Sequence, residues 1–407
     1  MNQLTVVEAQ VAKNLDLTAD EALRLEQAGR RLVGTAWWGN QGSDGEAERS
    51  VVSCHKGVQG WDVNARNVVG AIGLGARTLH ITPKIPIGHL MYLFGQAGAL
   101  PRLDDARVEI KVDTDYVTAV AIWFLATVHQ LIGLGLRRDY HEFEEETMSL
   151  QGQLLIPETT IGYYSGRPRL TCRFDDFVFD NPPNRVLAEA LIRVSQIPGL
   201  GDEPRRQARG LLAEMPPVGE LRYSDLRYRP DRNAQRYSEP LELARQLIEG
   251  TGRRPDPGTD ASAGFLIPTP SNVEEGIRRL LQSRLPPKLL PQKRKWNLEG
   301  GVALEPDLVF GSGVAVGDVK YRLYDGKWKR SEVFQLTTYA AAARCSRALL
   351  IGFSRQVLDP YDLVVGSHRL RLVTWTAADS HDPEGEAQRL VDAVADFIED
   401  DTQDSVS

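Results

Sequence analysis

The sequence predicts a multidomain α/β protein, and three observations lead there. Residues from about 30 to 115 alternate short apolar segments with glycine-rich turns, VVGAIGLGARTLHITPKI among them, which is the pattern of a β-rich N-terminal module. From Tyr116 the pattern turns helical and continues through NPPNRVLAEALIRVSQI. Between residues 307 and 353 a strand hairpin, a helix and a further strand follow one another, an α/β arrangement. The division expected is a β-rich module over 1–115, a mainly helical region over 116–262 and an α/β domain over 263–407. The Pro- and Gly-containing stretch RRPDPGTDASAG at 253–264 serves as the linker into the last.

Length and composition bound the class. A chain of 407 residues with 42% hydrophobic content has room for two or three domains with sizeable cores. Cys54, Cys172 and Cys345 are far apart and form no CxxC, which argues against a zinc knuckle or disulfide framework and fits a reducing compartment, the cytoplasm. The N-terminal MNQLTVVEAQVAKNLDL has no basic stretch followed by an apolar core, so no signal peptide is expected. Tyr116–Leu136 carries no formal charge and is about long enough to span a bilayer. Thr118, Thr127, His129 and Gln130 lie inside it and Gly133 and Gly135 weaken its end, so it reads as a buried helix with no membrane contact. His129 reads as a hydrogen-bonded core residue.

The chemistry concentrates in EPDLVFGSGVAVGDVKYR, where eleven positions separate Asp307 from Asp318. Gly311, Ser312 and Gly313 permit a reversal, so that Leu308–Phe310 pairs antiparallel with Val314–Val316. Asp307 then lands opposite Gly317 or Asp318. Opposed residues have Cβ atoms roughly 5 Å apart, close enough for both carboxylates to share one ion. Side-chain alternation puts Lys320 on the face of Asp318. The expected metal ligands are Asp307, Asp318 and Val319, and hard oxygen donors in an incomplete shell suit Mg²⁺, with Mn²⁺ as a substitute. Such an ion polarises a phosphate and acidifies water, while Lys320 orients the nucleophile or stabilises developing charge. The same acid-x-lysine spacing in Glu109-Ile110-Lys111 and Asp325-Gly326-Lys327 lacks the paired strand. The plain alternative for Asp318 and Lys320 is a solvated cross-strand ion pair.

Ser331 is a plausible N-cap for the following helix, SEVFQLTTYAAAARCS, which sets Gln335 and Tyr339 four apart on one face. Arg347–Phe353 reads as a buried strand, completing a βαβ unit with a right-handed crossover. The final GEAQRLVDAVADFIEDD puts Leu390, Val391, Val394, Phe397 and Ile398 on one helical face. Together, Pro306-Asp307, Asp318-Val319-Lys320 and the Gln335/Tyr339 pair resemble the PD-(D/E)xK nuclease superfamily in its RecB-like QxxxY variant. The resemblance implies a restriction-endonuclease-like α/β domain with Asp307, Asp318, Lys320, Gln335 and Tyr339 in the catalytic site. It also implies an acid on an earlier helix. Glu275 in PSNVEEGIRRLL is the better candidate and Glu274 the runner-up, while either position is also that of an ordinary carboxylate favoured by the helix dipole.

Four further stretches, LHITPKIP, GLRRDY, FDDFVFDNPPNRVL and FLIPTPSNVEEG, resemble in their order and spacing the McrC family of modification-dependent restriction systems. Leu150-Gln151-Gly152-Gln153 departs from that family, which carries a basic residue beside the glycine. The resemblance implies an N-terminal partner-contact module docking into the pore of an McrB-like AAA+ GTPase hexamer and stimulating it. Recognition of modified cytosine then belongs to the partner and cutting of double-stranded DNA to this chain. The polar, glycine-rich loop Trp38–Gly60 reads either as an ordinary exposed loop or as the element that protrudes towards such a partner. No GxxxxGK[ST] is present, and GAIGLGART lacks the phosphate-gripping lysine, so no nucleotide is expected on this chain alone.

The net charge of −7 is unevenly spread. Arg278, Arg279, Arg284, Lys288, Lys293, Arg294 and Lys295 run with no acid between Glu275 and Glu299. Arg278, Arg279, Lys293, Arg294 and Lys295 are the candidate DNA contacts, with Trp296 and Trp328 either stacking on bases or packing inward. A second function class, a non-catalytic assembly or DNA-clamp subunit that retains a nuclease fold, accounts for the same motifs.

Overall fold

The computed structural model describes residues 3–33, 51–75, 77–100, 115–251, 264–297, 301 and 303–399. The expected linker over 253–263, the acidic tail beyond 399 and residues 38–50 of the Trp38–Gly60 loop lie outside them. The chain folds as two units. One gathers Met1–Ala119, Ile197–Gly199 and Gly250–Ser407, and the other holds Val120–Gln196 and Leu200–Glu249.

The first unit opens with β1 (Gln3–Val7), β2 (Val11–Leu15) and α1 (Ala19–Val33), then β3 (Val52–Lys56), β4 (Trp61–Ala65), β5 (Val68–Gly73) and β6 (Thr78–Thr82). Helix α1 starts where it does because Thr18 and Glu21 form a capping box: Glu21 N donates to Thr18 Oγ1 at 3.2 Å and Thr18 N to Glu21 Oε2 at 2.8 Å. Strands β2, β4 and β3 form one antiparallel sheet. Leu25, Val52, Val63, Val68, Ile72 and Leu79 pack as the core of this region. Helix α2 (Ile87–Ala97) follows and ends on Gly98, left-handed at φ 70°.

Helix α3 (Tyr116–Leu134) leads into the second unit. It is long and apolar enough to cross a bilayer, but Ala119, Val120, Ala121, Trp123, Phe124, Leu125 and Val128 are fully buried. Trp123 Nε1 also donates to Glu239 Oε1 at 2.8 Å. His129, expected in the core, is instead exposed, because it falls off the buried stripe of this helix.

The second unit continues with β7 (Asp139–Thr147), β8 (Gln153–Leu154), α4 (Ile156–Tyr164), β9 (Leu170–Val178), α5 (Pro182–Gln196), α6 (Asp202–Glu214) and α7 (Ser238–Thr251). The mainly helical expectation therefore missed an antiparallel β7-β9-β8 sheet. Its first strand, DYHEFEEET, has no buried residue and alternates acids with aromatics instead of aliphatics, so it carries no core signature. A polar network holds the unit together. Asn181 and Asn184 each donate to the Arg137 carbonyl at 2.9 Å, and Tyr237 Oη donates to Asn184 Oδ1 at 2.8 Å. Arg185 pairs with Asp225 at 2.8 Å, both side chains only 3% exposed.

The chain then returns to the first unit with β10 (Gly264–Pro268), α8 (Pro270–Arg284), β11 (Pro291–Gln292), β12 (Trp296–Asn297), β13 (Ala303–Leu304), β14 (Leu308–Phe310) and β15 (Ala315–Leu323). Helix α9 (Arg330–Ala343), β16 (Arg347–Ser354), β17 (Tyr361–Val365), β18 (His368–Thr376) and α10 (Pro383–Glu399) complete it. The main sheet has the order β11-β14-β15-β16-β18-β17. Strands β15, β16 and β18 are parallel. As befits a strand covered on both faces, β16 is buried from Ala348 to Ser354. Helix α9 is the crossover between β15 and β16, and α10 buries the five apolar residues read from its sequence.

Strand β10 begins at the position expected to open the C-terminal domain, but its hydrogen bonds belong to the N-terminal sheet, β1-β6-β5-β10. It pairs antiparallel with β5 from Gly264↔Ile72 to Pro268↔Val68, so the strand that follows the boundary drawn at 263 belongs to that sheet. The pairing depends on Gly70, whose φ is 145° and where a Cβ would lie 1.8 Å from the Phe265 carbonyl oxygen. Gly70→Ala should cost about 3 kcal/mol, because both strain and a backbone clash oppose it. Calorimetric melting checks this, and an unchanged melt would contradict the β5–β10 pairing.

Candidate active site

The hairpin between β14 and β15 turns on glycine. Gly311 and Gly313 have φ of 52° and 101°, and a Cβ on Gly311 would stand 2.4 Å from the Lys288 carbonyl oxygen. The Phe310 carbonyl accepts from Gly313 N at 3.0 Å and Val314 N at 3.1 Å, so Val314 stays in the turn. The strands consequently pair one residue later than expected, Leu308↔Gly317, Val309↔Val316 and Phe310↔Ala315. Continued by one residue, this register sets Asp307 opposite Asp318, one of the two positions anticipated.

Asp307 Oδ2 accepts the Val319 backbone N–H at 2.9 Å. Val319 has a buried apolar side chain, so the only oxygen it offers a cation is its carbonyl. Asp318 is 3% exposed, and Lys320 Nζ lies 2.6 Å from its Oδ2. That contact is an ion pair formed where Asp318 has almost no access to water. Burial and the Asp307 charge push the Asp318 carboxyl up to about 7. Burial alone would lower the Lys320 ammonium, but Asp318, Asp307 and Glu274 outweigh it, so Lys320 is held above its usual range and charged.

Helix α8 packs against β15 and supplies a third carboxylate. It is Glu274 that reaches the site: burial and Asp307 push it up to about 8, with Lys320 and Lys293 opposing. Glu275, the preferred candidate from sequence, is turned to its own helix. Burial would raise it, but hydrogen bonds from Arg278 and Arg279, the latter at 2.6 Å, bring it below the usual carboxylate range. Neighbouring helical residues point about 100° apart, so only one of two adjacent acids can face the sheet. The i,i+3 and i,i+4 arginines were the available signal that Glu275 is engaged elsewhere.

On α9, Gln335 Nε2 donates to Tyr339 Oη at 2.9 Å. Burial raises the Tyr339 hydroxyl, and the charges of Asp318, Lys320 and Asp307 act on it, which places this pair beside the carboxylates. The helix begins at Arg330 rather than after Ser331: Lys329 occupies the cap position and its N–H donates to Glu332 Oε2 at 3.1 Å. The buried Glu332 carboxylate prefers this N–H and the Tyr324 hydroxyl, 2.7 Å away.

The basic run is partly neutralised. Arg278 and Arg279 pair with Glu275, Arg284 with Glu384, Lys288 with Glu399 and Lys295 with Glu305. Lys293 and Arg294 are exposed and form no ion pair with described residues, and Lys293 acts electrostatically on Glu274. Trp296 and Trp328 pack against the cluster of Val316, Leu336 and Leu350, so the packing alternative holds for both.

Among the described residues, no three His, Cys, Asp or Glu side chains close into a metal cage of their own. What the chain offers is an open set: two opposed carboxylates, one of them buried, and a third nearby. These residues fit a hard divalent cation such as Mg²⁺, which keeps waters and takes few protein ligands. Without such a cation, the folded chain binds more protons at Asp318 and Glu274 than the unfolded chain between the ordinary values of 3.8 and 4.5 and about 8. Stability at these groups therefore falls as pH rises through that window. Added Mg²⁺ should raise the melting temperature most at the upper end, and Asp318→Asn should flatten the trend. Thermal melts with and without Mg²⁺ check this, and a shift independent of pH would contradict it.

The model of the family described as McrBC 5-methylcytosine restriction system component matches residues 63–351. No curated protein matches the chain. Among solved structures, a chain of the refined half-complex from the tetradecameric assembly of Thermococcus gammatolerans McrB AAA+ hexamers with bound McrC is similar, with a TM-score of 0.69 at 17% identity. That alignment covers 97% of this chain and 100% of the other, and at this identity the likeness concerns the fold. A chain of the cryo-EM structure of the Thermococcus gammatolerans McrBC complex aligns over 69% of this chain and 87% of its own length, with a TM-score of 0.48 and 17% identity. The matched span contains Glu274, Asp307, Asp318, Lys320, Gln335 and Tyr339, and the chain belongs to the McrBC family of 5-methylcytosine restriction system components.

Proposed function

We propose that this chain is the Mg²⁺-dependent endonuclease subunit of a modification-dependent restriction system, of the McrC kind, and that it cuts double-stranded DNA while docked on an McrB-like AAA+ GTPase. The observation that carries the reading is the convergence of Asp307, Asp318, Lys320 and Glu274 around a buried carboxylate whose ionisation is opposed. An ion pair built only for stability has no reason to hold three carboxylates together in a poorly hydrated place. A bound Mg²⁺ would supply Lewis-acid polarisation of the phosphate, with Asp307 and Asp318 holding it.

The chain's own groups divide the remaining work. Lys320 remains charged, so it donates to and stabilises negative charge developing on the phosphate and does not act as a base. Held beside Asp307 and Lys320, Glu274 in its ionised form is the group suited to take the proton of the attacking water, while the leaving oxygen of the broken phosphodiester P–O bond takes its proton from solvent. Tyr339 is oriented by the hydrogen bond from Gln335. Lys293 and Arg294 give a phosphate backbone an exposed approach. The partner assignment draws support from the family match and from the fold shared with a chain of an assembly of McrB AAA+ hexamers with bound McrC.

Asp318→Ala should abolish DNA cleavage in the presence of the partner while leaving partner binding and stimulated GTP turnover unchanged, and persistent cutting would overturn the site. Glu274→Gln should slow cleavage by about a hundredfold or more. Glu275→Gln should keep the rate within a few-fold of the parent. Single-turnover cleavage of a methylated duplex separates the two, and the reverse order would return Glu275 to the site.

A further inference from the structure

Behind β15 lies a buried carboxylate that takes no part in the chemistry above. Glu8, the residue after β1, is fully buried. Its two oxygens go to two different parts of the chain. Oε2 accepts from Thr269 Oγ1 at 2.5 Å, while Oε1 accepts from Tyr321 Oη at 2.5 Å and from Lys84 N at 3.2 Å. Its own N–H donates to the Thr82 carbonyl at 3.0 Å, which anchors it beside the ends of β1 and β6.

Both hydroxyl donors belong to the two elements that carry site residues. Thr269 immediately precedes α8, the helix of Glu274, and is buried at its N-cap position. A threonine there ordinarily accepts from the first-turn amides, but this one makes no capping hydrogen bond and gives its hydroxyl to Glu8. Tyr321 immediately follows Lys320 on β15. By alternation it points to the face opposite Asp318 and Lys320, with Lys84 Nζ 3.8 Å above its ring. One carboxylate thus ties together the two elements that bring the acids to the site. For stability alone, an apolar side chain of similar volume would serve as well.

We propose that Glu8 is a positioning residue for cleavage, setting the separation between Glu274 on α8 and the Asp318/Lys320 strand through Thr269 and Tyr321. The proposal rests on the nuclease reading of the site. Thr269→Val and Tyr321→Phe each delete one hydroxyl and keep the shape, whereas Thr269→Ser returns the hydroxyl. On the full-length chain, Mn²⁺ affinity by titration calorimetry and, with the partner present, the Mg²⁺ concentration for half-maximal cleavage should both worsen about three- to tenfold in Thr269→Val and Tyr321→Phe. They should worsen further in the double variant and recover in Thr269→Ser. Unchanged Mn²⁺ affinity and Mg²⁺ requirement, with only a lower melting temperature, would make Glu8 purely structural and overturn the proposal. Asp318→Ala separates the two claims: if it still cuts, the nuclease reading falls and this inference with it. If it is inactive while the hydroxyl variants keep the parent Mn²⁺ affinity, only the role of Glu8 falls.

Discussion

Like charges pressed together where water is scarce govern this structure. Asp307 and Asp318 face each other across a four-residue turn, and Asp318 is almost entirely enclosed. Raising its carboxyl from 3.8 to about 7 corresponds to on the order of 4 kcal/mol against ionisation. That cost stands even with a backbone amide on Asp307 and an ammonium on Asp318. It is a cost that the proposed divalent cation would relieve. The glycines of the turn, the packing of α8 on β15 and the α9 crossover all serve to keep these charges where they repel.

The parts that local chemistry decides were legible in the sequence. The Gly311-Ser312-Gly313 reversal, the shared face of Asp318 and Lys320, the Gln335/Tyr339 pair and the apolar face of α10 all follow from turn residues and side-chain periodicity. The misses have a common cause, which is phase. A turn of three residues and one of four look alike in composition, so the register slipped by one. The rotation of α8 about its axis is set by Gly276, whose missing side chain lets the helix lie against the Leu93 backbone, and that contact is invisible without the fold. Strand β10 pairs with a partner far away in sequence, and β7 replaces aliphatics with acids and aromatics.

The stretches that carried the resemblance explain themselves once placed. In FDDFVFDNPPNRVL and GLRRDY, Asn181, Asn184 and Arg185 meet the Arg137 backbone, Tyr237 and Asp225 in a buried network. Removing one member of the Arg185–Asp225 pair would strand a charge at a cost of about 3–5 kcal/mol. In LHITPKIP, Lys84 stacks over Tyr321 and lends its amide to Glu8. These motifs are frameworks of polar bonds, which tolerate substitution poorly because each partner is matched in shape and charge.

Strand β10 completes the sheet of the opening segment, and one residue after it α8 sets out towards the acids. A gene fragment that starts after β5 would leave this strand unmatched, with its amides and carbonyls open to any neighbouring chain. Chimeras between relatives must likewise inherit β5 and β10 from one parent, because the two strands share a single hydrogen-bonded seam.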